Sequence, residues 1–255
     1  MENKVTFKNN KGLDLAGIIN IPDNQGKTPF VMICHGLYSS KNGNTYTKLA
    51  DLLSQNNIAS FRFDFIGHGE SSGDTSHLSL SQSVSDLKEA FNVISNYNII
   101  DSSRIGLFGR SFGGNVALRY ASQTKSLKLL CLNAPAIDWN EIFKNRYSED
   151  KLLEWEKQGY IYEMFRGEKH KLDYSFYLDS IGTNIYEICK TISSDILIIH
   201  GNADKTVPCQ QSVRLKNKIG RNANLIEVEG ADHEFNPNKQ LESIKHSADF
   251  FKANL

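Results

Sequence analysis

The stretch Ile105-Gly106-Leu107-Phe108-Gly109-Arg110-Ser111-Phe112-Gly113 decides the fold, because it predicts a buried strand, a tight turn and the start of a helix in direct succession. Its first four residues form a short apolar run, which is typical of a strand buried on both faces. A helical pattern of apolar residues continues from Ser111 to Tyr120. The glycines that flank Ser111 indicate a strained turn, in which a Cβ at either position would collide with neighbouring backbone.

Similar apolar runs occur along the rest of the chain and alternate with segments of helical period. They are Phe30 to Cys34, Ile58 to Phe63, Leu127 to Leu132, Ile196 to Ile199 and Leu225 to Val228. This alternation predicts an α/β protein with a mainly parallel sheet covered by helices on both faces. Near the start, Val5 to Ile21 alternates apolar and polar residues around a turn at Asn9 to Gly12, which predicts an antiparallel hairpin at the edge of that sheet.

One segment, residues 136–190, breaks the alternation because it contains no convincing buried strand. We therefore expect an α/β core formed by residues 1–135 and 191–255, with residues 136–190 inserted as a cap. Its aromatic side chains would either form the core of a small helical subdomain or also line a pocket. There are eleven of them: Trp139, Phe143, Tyr147, Trp155, Tyr160, Tyr162, Phe165, Tyr174, Phe176, Tyr177 and Tyr186.

The composition argues against several classes of partner. The 29 Lys+Arg residues balance the 29 Asp+Glu residues and form no basic run, so we expect neither nucleic acid nor an anionic membrane surface as a partner. No run of about 18 uncharged apolar residues is present, and Met1 to Thr6 lacks the apolar core of a signal peptide. The four cysteines have no metal or redox spacing and are expected to be structural thiols. We expect a soluble, cytoplasmic protein without membrane insertion.

Two stretches match the pattern Gly-x-Ser-x-Gly, and their contexts separate them. In Gly109 to Gly113 the serine follows a strand and opens a helix, which is the setting of a nucleophilic serine. In Gly69 to Gly73 the serine is Ser71, and its polar surroundings predict a surface loop instead. The helix that begins beside Ser111 would direct free N–H groups at any negative charge that develops there. Ser111 is therefore the candidate nucleophile.

A nucleophilic serine needs an adjacent base, and the base needs a carboxylate that fixes its tautomer. On a sheet of this type the acid and then the histidine follow the serine along the chain. Asp204 and His233 each come just after the carboxyl end of a predicted strand, at the edge where open α/β sheets bind ligands. We therefore predict a catalytic triad of Ser111, Asp204 and His233. The competing residues have less suitable positions: Asp195 ahead of its strand, Asp173 and Asp179 in the insertion, Asp232 next to His233, His170 and His200 ahead of Asp204, and His246 on a helix surface.

The oxygen of a tetrahedral intermediate also needs hydrogen-bond donors. The strand Phe30 to Cys34 runs into His35-Gly36-Leu37, which brings the backbone N–H of Leu37 to the same edge. The backbone N–H of Phe112, directly after Ser111, is the second candidate for this oxyanion hole. We expect His35 to order its loop without taking part in catalysis.

Six motifs together resemble the α/β-hydrolase superfamily over almost the whole chain. Within it, the size, the Ala-Pro-Ala segment and the aromatic insertion look most like bacterial cinnamoyl/feruloyl esterases and their neighbours. The resemblance also implies that Gly67 to Ser71 is the structural loop after the fourth strand. The motifs are His35-Gly36, Phe63-Asp64-Phe65-Ile66-Gly67-His68-Gly69-Glu70-Ser71, Gly109-Arg110-Ser111-Phe112-Gly113, Ala134-Pro135-Ala136, His200-Gly201-Asn202-Ala203-Asp204-Lys205-Thr206-Val207-Pro208 and Gly230-Ala231-Asp232-His233-Glu234-Phe235.

The resemblance implies hydrolysis of carboxylic esters through an acyl-enzyme on Ser111, with His233 as base and then acid and Asp204 orienting it. It implies a small-molecule ester substrate and neither a cofactor nor a metal. The tyrosines and tryptophans of the cap favour an aromatic or medium-length acyl group. Asp138, Trp139 and Tyr160 are the candidate residues of the substrate pocket.

Several alternatives stay open at this point. The same triad would serve a monoacylglycerol lipase, an acyl thioesterase or a small-peptide hydrolase, because substrate choice depends on cap geometry. A protein of this fold could also bind a small ligand without converting it, although such proteins often lack a catalytic residue. The sequence leaves homodimerisation open.

Overall fold

A computed structural model describes residues 2–23 and 26–255 of the chain. The strands within these residues are β1 (Glu2–Lys8), β2 (Asp14–Asn20), β3 (Thr28–Cys34), β4 (Ala59–Phe63), β5 (Ile100–Arg110), β6 (Leu129–Asn133), β7 (Tyr160–Phe165), β8 (Glu168–Asp173), β9 (Asp195–Gly201) and β10 (Ala223–Val228). The α-helices are α1 (Asn44–Gln55), α2 (Leu80–Ile94), α3 (Phe112–Ala121), α4 (Trp139–Arg146), α5 (Glu149–Gln158), α6 (Tyr174–Ile181), α7 (Ile185–Ile188), α8 (Gln210–Ile219) and α9 (Pro237–Asn254). None of these helices is long and apolar enough to span a bilayer.

Eight of the strands form one sheet in the order β1-β2-β4-β3-β5-β6-β9-β10. The neighbours from β4 to β10 pair in parallel, whereas β2 pairs antiparallel with both β1 and β4. The mainly parallel sheet with an antiparallel hairpin at its edge is therefore confirmed. Because parallel strands end at one edge of a sheet, the loops that follow β3, β5, β9 and β10 meet there.

The core lies on both faces of this sheet because successive residues of a strand point to opposite sides. Along β5, Leu107 belongs to the cluster beneath α2 and α3, and Phe108 belongs to the cluster beneath α1 and α9. Cys34 and Cys131 are buried in these clusters, and none of the four cysteines forms a disulfide among the described residues. Burial raises the pKa of Cys131 to about 12, as expected for a structural thiol.

Residues 136–190 add no strand to the main sheet but contain a separate antiparallel hairpin, β7–β8. The sequence pattern did not predict these strands, because one side of the hairpin is exposed, the apolar residues of β7 do not alternate with polar ones, and β8 contains a single apolar residue, Leu172. Only Ile161, Glu163 and Leu172 are buried in it. Its tight turn is Arg166-Gly167, with positive φ values of 50° and 84° that are typical of a type I′ turn.

Most aromatic side chains of this segment pack against one another, and their cluster is continuous with one face of the sheet. Phe143 and Trp155 have ring centroids 5.4 Å apart, and so do Trp139 and Phe176. Both Trp139 and Phe176 also contact Phe112, the first residue of α3. The inserted segment is therefore anchored directly beside Ser111.

Candidate active site

Ser111 occupies a strained turn between β5 and α3. Its φ of 51° and ψ of −115° lie in a region that non-glycine residues rarely adopt. A Cβ added at Gly109 would come within 2.4 Å of the carbonyl oxygen of Gly113, and one at Gly113 within 2.4 Å of the carbonyl oxygen of His35. The expected collision is thus confirmed, and both positions require glycine because backbone approaches them so closely.

Ser111, His233 and Asp204 come together at the carboxyl edge of the sheet. Ser111 Oγ lies 3.0 Å from His233 Nε2, and His233 Nδ1 lies 2.7 Å from Asp204 Oδ2. An ionised carboxylate can only accept hydrogen bonds, so Nδ1 carries the ring proton and Nε2 is left to accept from the serine hydroxyl. This arrangement can remove a proton from Ser111.

Asp204 is held by four hydrogen bonds. Its Oδ1 accepts from the backbone N–H groups of Thr206 and Val207, both at 2.8 Å. Its Oδ2 accepts from His233 and also from His200 Nε2 at 3.1 Å. Burial alone would raise the pKa of this carboxyl, but the hydrogen bonds from His200 and His233 outweigh it and hold the pKa well below its usual range. Asp204 therefore stays ionised.

His200 is a residue of the site that the sequence reasoning placed only among rejected bases. It is fully buried on β9, and its Nδ1 lies 2.7 Å from Ser212 Oγ. Its Nε2 faces two acceptors, Asp204 Oδ2 and the carbonyl oxygen of Val207, so Nε2 carries the proton. The spacing of four residues between His200 and Asp204 was the available signal for this contact.

The loop after β3 packs against the serine turn. A Cβ added at Gly36 would lie 3.5 Å from Ser111 Cβ, so the backbone that leads to Leu37 passes directly beside the nucleophile. The N–H of Phe112 belongs to the first turn of α3, where N–H groups have no intrahelical acceptor. Neither this N–H nor that of Leu37 has a hydrogen-bond acceptor within the described residues. Both remain candidates for the oxyanion hole.

Two buried histidines order this loop. His35 Nε2 accepts from the backbone N–H of Phe65 and His68 Nε2 accepts from that of Tyr38, each at 3.1 Å. Burial lowers the pKa of His35 to about 4 and that of His68 to about 3. Both rings are therefore neutral at pH 7, which lets each Nε2 act as an acceptor. The expectation that His35 orders its loop agrees with these contacts.

Tyr38 links the same loop to the β7–β8 hairpin. Its hydroxyl donates to Glu163 Oε2 at 2.9 Å, and its ring stacks on His170 with centroids 4.2 Å apart. Glu163 is buried on β7 and also accepts from the Tyr147 hydroxyl, and it pairs with Arg146 at 3.1 Å. Burial and the charge of Glu163 raise the pKa of Tyr38, so its hydroxyl remains a donor.

Ser71, the serine of the second Gly-x-Ser-x-Gly match, has a structural role. Its hydroxyl donates to the carbonyl oxygen of Asp64 at 2.6 Å and accepts from the backbone N–H of Ala16 at 2.9 Å. It therefore fastens the loop after β4 to β2, as the resemblance implied.

A cavity of about 380 Å³ opens on Ser111 and His233. Trp139 lines it, as do Leu37, Ile142, Phe165 and Val207. The other two predicted pocket residues are not among its lining residues. Asp138 accepts from the N–H of Glu141 as the N-cap of α4 and lines a smaller cavity. Tyr160 packs against Tyr162, with the Lys171 ammonium 4.9 Å from its ring centroid. The Asp138 carboxylate therefore caps α4, and the Tyr160 ring packs against side chains of the β7–β8 hairpin, so neither residue lines the cavity beside Ser111.

The fold and the geometry around Ser111 define this protein as an α/β hydrolase, and solved structures of that class superpose on the whole chain. The α/β hydrolase GrgF from Penicillium sp. sh18 has a TM-score of 0.85 at 19% sequence identity, covering 100% of this chain and 99% of its own. Est1E from Butyrivibrio proteoclasticus with bound ferulic acid has a TM-score of 0.84 at 19% identity, covering 98% of each chain. At 19% sequence identity, the similarity to these two structures establishes the fold alone.

The chain belongs to the serine aminopeptidase S33 family, whose model matches residues 26–176. An Escherichia coli protein described as an uncharacterized 31.7 kDa protein in the traX-finO intergenic region is 26% identical over 137 residues. These residues make up 54% of this chain and 48% of that relative, so the match spans about half of the relative's length.

Proposed function

We propose that this hydrolase cleaves carboxylic esters through an acyl-enzyme on Ser111. The observation that carries the proposal is the hydrogen-bonded series Ser111–His233–Asp204, with distances of 3.0 and 2.7 Å, beside two unused backbone N–H groups. Nucleophile, base, orienting carboxylate and oxyanion donors are the parts that acyl transfer requires.

The reaction proceeds in two halves. Ser111 Oγ attacks the ester carbonyl carbon while its proton passes to His233 Nε2, and the N–H groups of Leu37 and Phe112 bind the carbonyl oxygen as it becomes negative. His233 then gives the proton to the departing alcohol as the C–O bond breaks. A water molecule attacks the acyl-enzyme, returns a proton through His233 to Ser111 Oγ and releases the acid.

The cavity supports a small aromatic, cinnamoyl- or feruloyl-like, or medium-chain acyl group as the substrate. Trp139 and Phe165 offer aromatic surface, and the volume of about 380 Å³ lies within the range of small-molecule sites. Est1E, whose fold this chain shares, binds ferulic acid, and this adds support for an aromatic acyl group.

The charges of the cavity favour an ester over the N-terminus of a peptide. An aminopeptidase substrate presents an ammonium group, which needs an available carboxylate. Glu234 is the one carboxylate that lines the cavity within the described part of the chain, and it already contacts Arg166 at 3.2 Å and Arg110 at 3.5 Å. A peptide amine would therefore meet guanidinium groups instead of a free acceptor.

A fluorophosphonate probe tests the nucleophile. We expect it to label the wild type and Ser71→Ala but not Ser111→Ala, and we expect Ser111→Ala to lower kcat for a phenyl ester by about 10⁶. Ser71→Ala is the matched control because Ser71 stands in the same motif. Labelling that persists in Ser111→Ala, or a wild type that resists the probe, would overturn the proposal and favour a ligand-binding protein.

A substrate panel tests the acyl group. We expect kcat/KM to be higher for phenolic aromatic and medium-chain esters than for long monoacylglycerols, acyl thioesters and dipeptide amides. The highest kcat/KM on long monoacylglycerols would replace our proposal with a lipase.

A further inference from the structure

The cavity beside Ser111 is lined by more cationic than anionic side chains. Arg110, Arg146, Arg166 and Lys205 all line it, and Glu234 is the acidic side chain among its described lining residues. The four cations come from different parts of the fold: the serine turn, the end of α4, the tip of the β7–β8 hairpin and the loop after β9. Their convergence is therefore a property of the folded site.

The acidic groups nearby do not balance these charges. Glu234 is shared between Arg110 and Arg166, so a single carboxylate faces two guanidinium groups. Arg110 also donates to the carbonyl oxygen of His233 at 2.8 Å, which fixes its position. Glu163 pairs with Arg146 at 3.1 Å but is buried and does not line the cavity.

Lys205 has no ion-pair partner among the described residues, although it follows an aspartate in the chain. The carboxylate of Asp204 is directed to His233, His200 and the backbone of Thr206 and Val207 instead. Lys205 is exposed and lines the cavity, so this residue lies where the cavity opens to solvent. Arg166, with 70% of its side chain exposed, lies at the same opening.

We propose that the substrate is an ester that carries a carboxylate, and that this carboxylate binds at the cavity opening to Lys205 and Arg166. The inference rests on the proposed esterase function and narrows its substrate class. A neutral ester would make no use of the unpaired ammonium group, and a cationic one would be repelled by it. An anionic group would balance the excess positive charge while the ester carbonyl reaches Ser111.

Two pairs of isosteric esters test this substrate class, because the carboxylate could belong to the acyl or to the alcohol part. The acyl pair is mono(4-nitrophenyl) glutarate and its neutral analogue 4-nitrophenyl 4-carbamoylbutanoate. The alcohol pair is 4-butyryloxybenzoate and its neutral analogue 4-carbamoylphenyl butyrate. We expect kcat/KM for the carboxylate ester to exceed that of its neutral partner by about 5-fold or more in at least one pair, with the ratio falling as salt is raised.

Variants then assign the preference to the cavity opening. Lys205→Met should lower the ratio of carboxylate to neutral kcat/KM by about 5-fold, and Arg166→Met should lower it in the same direction. Lys216→Met, which removes one charge from the exposed surface of α8, should leave the ratio at the wild-type value. The ratio within one variant separates charge recognition from any general loss of activity.

The two proposals fail in distinguishable ways. Hydrolysis that depends on Ser111 but shows no carboxylate preference in either pair, or a preference that survives Lys205→Met, would overturn the anionic substrate and leave the esterase standing. If no ester is turned over and the fluorophosphonate probe does not label Ser111, both proposals are overturned.

Discussion

A single carboxylate oxygen of Asp204 accepts hydrogen bonds from two imidazole rings. His233 approaches Oδ2 from the side of Ser111, and His200 approaches it from the buried side of β9. Two imidazole N–H groups and two backbone N–H groups donate to the carboxylate, and together they fix its orientation. We infer that His200 positions Asp204, and through it His233.

Replacing His200 separates this role from simple packing. His200→Leu removes the N–H donor, and since a hydrogen bond to a charged group contributes about 1.5–3 kcal/mol, kcat should fall by roughly 10- to 100-fold. His200→Gln places an amide N–H near the position of Nε2 and should recover most of the activity. Steady-state kinetics on one phenyl ester give both values. Equal activity of the two variants would contradict the positioning role.

The sequence predicts the location of residues that follow strand ends better than the location of residues whose contacts depend on tertiary packing. Ser111, Asp204 and His233 each lie in the connection that follows a strand of the parallel part of the sheet, so their meeting at one edge follows from topology. Asp138 and Tyr160 lie in a segment without such a frame, and their sequence neighbours do not reveal capping or hairpin packing.

Glu163 and His200 were missed for a related reason. Glu163 lies in a segment for which no strand was predicted, and its partner Tyr38 is far away in the chain. His200 lies at the end of a predicted strand, and its contact with Asp204 is made on the buried side of the site. The partners of such buried polar groups are set by tertiary structure, and periodicity carries no information about them.

At the scale of secondary-structure elements, the β7–β8 hairpin holds the loop that carries one candidate oxyanion donor. Tyr38, next to Leu37, has a φ of 56°, which costs conformational energy unless contacts maintain it. Those contacts are His68 on the core side and Glu163 on the hairpin side. We infer that the hairpin contributes to turnover through the backbone position of this loop.

Two tyrosine variants test the link between hairpin and loop. Tyr38→Phe and Tyr147→Phe each remove one hydroxyl from Glu163, but only Tyr38 belongs to the loop after β3. Tyr38→Phe should lower kcat by about 10-fold, the value of one hydrogen bond to a charged group, whereas Tyr147→Phe should change it by less than about 2-fold. The Tm of each variant, compared with that of the wild type, shows whether the substitution also destabilises the fold. A similar loss of kcat in both variants would contradict a specific link through Tyr38.

At the scale of the whole molecule, two neutral buried histidines make stability depend on pH. The pKa values of His35 and His68, about 4 and about 3, lie below the value of about 6.5 for an unfolded chain. The unfolded state therefore binds more protons as the pH falls below 6.5, and the folded state is progressively destabilised down to the folded pKa values.

This dependence can be measured as the free energy of unfolding in urea at pH 8 and at pH 5.5. Each histidine should remove about 1.4 kcal/mol of stability over this interval. His68→Gln keeps an acceptor for the N–H of Tyr38 but cannot be protonated. The loss of unfolding free energy between pH 8 and pH 5.5 should therefore be smaller in this variant than in the wild type by about 1.4 kcal/mol. If the wild type and His68→Gln lose the same stability, His68 does not remain neutral in the fold.

The bond between Tyr38 and Glu163 limits how this architecture can be recombined. Residues 136–190 could be exchanged with the corresponding segment of a relative to obtain a different acyl preference, since the strand-end residues would be untouched. Such a chimera would inherit the loop after β3 from one parent and the β7–β8 hairpin from the other. We expect it to remain active when the donated hairpin has a carboxylate at the position of Glu163. The sequence of residues 136–190 can therefore vary between relatives only as long as this position on β7 keeps its carboxylate.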